Sequence, residues 1–86
     1  KWRGSRVQAF AGGNSRADRQ RAQQIGNAIK MKFPDQPVYV HFYSPRWICR
    51  VGNFRSYEQA NRMLKAVRAM GYKGATIVQG KITVQD

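Results

Sequence analysis

Two hydrophobic periods run along the chain. In "SRVQAFA", residues 5 to 11, Val7, Ala9 and Ala11 alternate with Arg6, Gln8 and Phe10, the two-residue period of a strand. "GGNS" breaks it, and Ser15 with Asp18 then fits a capping box ahead of Ala22, Ile25, Ile29 and Phe33, which recur at helical spacing until Pro34 and Pro37. The two-residue period returns in "VYVHFY", residues 38 to 43, and Ser44 and Pro45 turn the chain into "RWICRV", so a hairpin is expected. Ser56 and Gln59 open a second helix that turns Ala60, Leu64 and Val67 inward, with Met63 and Met70 beside them, and Gly71 stops it. "GATIVQG" makes a fourth strand, and "KITVQD" a further extended piece.

The order is β-α-β-β-α-β, and its halves look alike: "RVQAFAGGNS" before one helix, "CRVGNFRS" before the other. The fold class expected is α+β, a split βαβ arrangement in which one four-stranded antiparallel sheet carries both helices on one face. Residues 1–5 are expected as a flexible lead-in, 6–80 as the folded domain, and 81–86 as an extension with room for a short strand.

Because the helices need an apolar partner, the inner residues are Val7, Ala9, Ala11, Val38, Val40, Phe42, Trp47, Cys49, Val51, Ala75 and Ile77. That leaves Arg6, Gln8, Phe10, Tyr39, His41, Tyr43, Arg46, Ile48, Arg50, Thr76 and Val78 on the open face. Trp47, alternating with Ile48 and Arg50, is expected in the core. Arginines, a glutamine and aromatics on one sheet surface suit a binding platform, although solvated strand faces also favour Tyr and Arg.

Composition narrows the function. A chain of 86 residues has a small core and little room for a deep catalytic cavity. Sixteen Lys and Arg against four acids give a net charge of +12, which attracts polyanions. The acids form no evident pair and His41 is the one histidine, too little for acid–base catalysis, so no enzyme activity is expected. Nor is a metal or other cofactor, since no second His or nearby Cys and acid cluster accompanies His41 and the glycine turn lacks the P-loop pattern. The lone Cys49 reads as a core residue. With Lys1 first and no apolar stretch long enough to span a bilayer, a soluble domain excised from a longer protein is expected, without membrane insertion by this segment. A basic β-α-β-β-α-β sheet with open-face aromatics also describes an RNA-recognition module, and nucleic acid is the alternative partner. The RNP1 signature of that module is not supplied by "PRWICRVGNF". A third reading is a cationic docking domain for an acidic protein or lipid surface.

"RVQ" near the start and "ICRVGNFRSYEQANRMLKAVRAMGYKGATIV" later, with their Val-Gly-x-Phe strand end, Ser-capped helix and Gly-Tyr before the last strand, resemble the SPOR domain, the sporulation-related repeat that binds bacterial peptidoglycan. The first half departs from the family pattern, with Phe10 where glycine is usual and Ala11 where serine is common. The resemblance implies a non-catalytic domain, taken to be monomeric, on the periplasmic side of the cell envelope. It would bind denuded glycan strands, whose stem peptides an amidase has removed, and target its parent protein to the septum during cell division. It also implies that Gln8 is the sheet-face glutamine, that Arg50, Ile48 and Arg46 are the face before the second glycine turn, and that Thr76 is the last strand's contact. Each amidase cut frees a lactyl carboxylate, for which Arg50, Arg46 and Arg6 are the expected partners. Gln8 can hydrogen-bond acetamido or hydroxyl groups, Tyr39, Tyr43, Phe10 and Ile48 can pack on sugar faces, and His41 belongs to the same surface.

Overall fold

The structure, a computed structural model, describes residues 2–82, with the backbone alone at Trp2. Its elements are β1 (Trp2–Ala11), α1 (Arg16–Lys32), β2 (Val38–Tyr43), β3 (Arg46–Phe54), α2 (Tyr57–Ala69) and β4 (Thr76–Ile82). The strands form one antiparallel sheet in the order β2-β3-β1-β4, with both helices packed on it. The α+β class and the element order are those expected.

Local chemistry sets the helix starts. Ser15 Oγ accepts the Asp18 N–H at 3.1 Å while the Asp18 carboxylate accepts the Ser15 N–H at 3.2 Å, a closed capping box. Those bonds, the Ser15 hydroxyl first and then the backbone N–H groups of Gly13 and Ser15, hold the Asp18 carboxyl below its ordinary pKa. Ser56 Oγ accepts the Gln59 N–H at 3.2 Å and starts α2. Gly26 sits buried in the middle of α1, where glycine costs about 1 kcal/mol against alanine. A Cβ there would stand 2.8 Å from Val40 Cγ2 and 3.3 Å from Val38 Cγ1, so the glycine lets α1 lie close on β2.

The core joins Val7, Cys49 and Val51 of the central strands to Ile25 and Ile29 of α1 and Leu64 and Val67 of α2. Each such side chain, when fully buried, contributes about 1.5 to 3 kcal/mol. Burial pushes the Cys49 thiol up from its ordinary 9.0 to about 11. Since the folded-state value is the raised one, the neutral thiol adds stability in full below pH 9.0, and that part is lost as pH rises toward 11. Cys49 is expected to resist a thiol-reactive dye at pH 8 and to label when urea unfolds the chain; labelling of the native protein within minutes would show that this core opens readily.

Three expectations need correction. First, Trp2–Ser5 are not a flexible lead-in: they pair with Gln79–Ile82, and β4 runs unbroken through Gly80 into the expected extension. Lys1 and residues 83–86 lie outside the described residues. Second, β1 does not alternate throughout. Gln8 pairs with Arg50 but Phe10 pairs with Cys49, so β1 holds an extra residue, Ala9, at a β-bulge. The bulge turns Phe10 to the helix side, packed against the core, and brings Ala11 opposite Ile48. Third, Trp47 lies on the helix side but is only half-buried, against Phe42 at 5.5 Å between ring centroids. Here α1 places a charged group on the indole, with the Arg19 guanidinium 5.5 Å over it, and Phe42 stays 46 % exposed.

Candidate functional site

The face opposite the helices is built on all four strands. Tyr39, His41 and Tyr43 of β2 pair with Arg50, Ile48 and Arg46 of β3, so six of the expected residues share one surface. The β2 rings form a ladder, Tyr39 stacked on His41 at 6.2 Å and His41 edge-on to Tyr43 at 5.9 Å. On β1, Gln8 lies between Arg50 of β3 and Thr76 of β4, and Arg6 lies opposite Val78. Nine of the ten expected site residues are therefore on this face by register, and the bulge at Ala9 removes the tenth, Phe10.

Polar contacts order this surface into two clusters. In one, Arg50 Nε donates to Gln8 Oε1 at 3.0 Å and the guanidinium lies 4.8 Å over the Tyr43 ring. In the other, the Arg6 guanidinium lies 4.3 Å over Tyr39, Arg6 Nε donates to Asn53 Oδ1 at 2.9 Å, and Asn53 Nδ2 donates to Tyr39 Oη at 2.7 Å. A cation held over a ring gains about 0.5 to 1 kcal/mol at an exposed site and has less rotamer freedom to lose when a ligand binds. Ile48 is only 8 % exposed and outside the helix-side core cluster, so it is a floor of this face, in the row between Arg50 and Tyr43, rather than a projecting contact.

Asn53 is the member of this surface that strand alternation misses. Counting by twos from Ile48 and Arg50 puts Gly52 on the open face and Asn53 inside. Between Val7↔Val51 and Ser5↔Phe54, however, β3 spends one residue more than β1, and Gly52 sits at φ +83° within that bulge. Phe54 thereby enters the core, while Asn53 joins Arg6 and Tyr39. A glycine inside a strand pattern was the available signal.

In chemical terms the face offers cationic forks, an amide and flat apolar rings along an open surface. Tyr39 and Tyr43, four residues apart, stand about 13 Å apart along the strand. A regular polymer carrying both anionic and apolar groups can engage the two arginine–tyrosine clusters at once.

No curated protein and no solved structure matches the chain. The family model of the SPOR domain matches residues 4–79, from the first half of β1 into β4, and by that match the chain belongs to the SPOR family of peptidoglycan-binding domains.

Proposed function

We propose that the open sheet face binds denuded glycan strands of peptidoglycan and so carries the parent protein to the periplasmic side of the division septum. The observation behind this reading is the pair of ordered arginine–tyrosine clusters, Arg50 with Gln8 and Tyr43, and Arg6 with Asn53 and Tyr39. Lactyl carboxylates exposed by amidase cleavage meet the guanidinium groups, which donate to a carboxylate in bidentate geometry. The sugar rings lie on the Tyr39–His41–Tyr43 ladder, and Gln8 and Thr76 hydrogen-bond acetamido and hydroxyl groups. Stem peptides would crowd a strand lying flat across such a surface, and their removal is what supplies the charge.

The aromatic ladder and the net charge are the features that nucleic acid would also use. The central strands, where stacked bases would need a platform, turn Arg6, Gln8, Arg46, Ile48, Arg50 and Asn53 outward, none aromatic, and the rings are confined to the edge strand β2. Glycan is the better fit.

Sedimentation with purified sacculi, before and after amidase treatment, tests the reading beside an RNA competitor at several salt concentrations. The bound fraction is expected to rise as peptides are removed and to survive the RNA. Binding of RNA with a steep salt slope that sacculi do not compete would overturn it.

A further inference from the structure

Among the described basic residues, Arg6, Arg46 and Arg50 are on the open face by register, while five lie on α1 and three on α2. The glycan reading leaves those eight unused. Both helices pack on the strands rather than closely on each other, so a seam runs between them. At one end it opens into a cleft of about 520 Å³ walled by Phe33, Phe54, Met63 and Ala66, with Arg62 among its lining residues. At the other end, Phe10, Ile25 and Tyr72 line a second cleft of about 340 Å³ together with Arg21.

Charge follows the seam. Arg21 and Lys32 are eleven residues apart, about three turns, so both project toward the same side of α1, the side on which Arg21 lines the second cleft. On α2, Gln59, Met63 and Ala66 recur at spacings of four and three along the wall of the first cleft, with Arg62 beside them. Neither cleft has an acid in its lining, and Asp18 at the start of α1 is taken up by its capping box. Apolar walls between cationic rims call for a ligand that is apolar on one side and anionic on its flanks.

We propose that the seam between α1 and α2 is a second docking site, which takes an acidic amphipathic peptide segment of another protein. The apolar side of that segment lies against Phe33 and Met63, and its carboxylates meet Arg21, Lys32 and Arg62. The α1 helix, 17 residues long, gives a seam of about 25 Å, enough for roughly four turns of a bound helix. A second copy of this chain is a poor occupant, because each carries +12. A flat lipid surface fits less well, since the ridge of α1 farthest from the buried Ala22, Ile25 and Ile29 presents Gln20, Gln24, Asn27 and the exposed Met31, with no basic residue among them for anionic headgroups. Naked polyanions make no use of the apolar walls.

The test is a titration of the isotope-labelled 86-residue chain, followed by amide chemical shifts, with a 16-residue peptide carrying Leu on one helical face and Glu on both flanks. A scrambled peptide of equal composition, anionic vesicles and a short RNA duplex are run in parallel. Saturable shifts confined to the seam, with the patterned peptide bound at least about tenfold tighter than the scrambled one, support the proposal. The surface double variant Lys32→Glu/Arg62→Glu is expected to lose at least about tenfold in peptide affinity while binding amidase-treated sacculi like the parent. Met63→Asp, which puts a charge on the apolar wall, is expected to lose peptide binding by at least about tenfold as well, and should it fail to fold, the charge-reversal pair still decides the matter. Equal binding of the two peptides, stronger binding of vesicles or RNA at the seam, or no saturable shift there would each overturn it.

Discussion

Gly52→Ala is expected to cost the domain about 2 to 5 kcal/mol of stability, seen as a fall in melting temperature of at least about 8 °C. Gly52 is buried within β3 at φ +83°, a backbone region where an L side chain costs about 1 to 2 kcal/mol. A Cβ at this position would also run into the Phe54 ring, which is itself 8 % exposed and part of the core cluster, so the ring has little freedom to withdraw. Overpacking of this kind costs about a further 1 to 3 kcal/mol. Against a total of about 5 to 15 kcal/mol for a small domain, such a loss is large. The two causes separate in a cycle with Phe54→Ala: removing the ring removes the clash, so the double variant should be more stable than the sum of the single losses implies, leaving the backbone part. A melting temperature for Gly52→Ala within about 2 °C of the parent would mean that the bulge relaxes freely.

The same glycine marks where the sequence could and could not be read. Helix starts were legible because they depend on neighbours in the chain: Ser15 with Asp18 and Ser56 with Gln59 make their bonds within three residues. The two faces of β2 and β3 were legible as far as Arg50, since strand alternation is a local rule and the pairing of β2 with β3 keeps register throughout. It failed at Ala9 and at Gly52, where β1 and β3 pass each other with one residue too many on either strand. A one-residue shift exchanges the faces of everything beyond it, which is how Phe10 left the open surface and Asn53 entered it. Nothing in "QAFA" announces the first bulge, because alanine and phenylalanine suit either face. The Arg6–Tyr39 pair was hidden for a different reason. These residues belong to strands separated by β3, and their meeting depends on side-chain reach across it rather than on any spacing in the chain.

Arg50→Ala is expected to weaken binding of denuded glycan by about 10- to 100-fold while leaving the fold intact. Arg50 is half-buried, and its Nε is committed to Gln8 Oε1 at 3.0 Å; among the described residues its two terminal nitrogens have no hydrogen-bond partner. With the guanidinium held 4.8 Å over Tyr43, that pair of nitrogens is presented to the open face as a preset fork. A charge-assisted hydrogen bond contributes about 1.5 to 3 kcal/mol, which sets the size of the loss. Stability should change little, because Arg50 lies across the sheet from the core cluster. Arg50→Lys separates charge from geometry: an ammonium keeps the attraction for a carboxylate but cannot make the fork, so it should recover only part of the affinity and show a steeper dependence on salt. Gln8→Ala should produce a smaller loss of its own and, combined with Arg50→Ala, less than the product of the two, since the amide holds the arginine and, on the proposed reading, also meets the ligand. Calorimetry with amidase-trimmed glycan strands reads the parent and all four variants. Affinity of Arg50→Ala within twofold of the parent would place the glycan elsewhere on the molecule, and unfolding of that variant would make Arg50 a structural residue of the sheet.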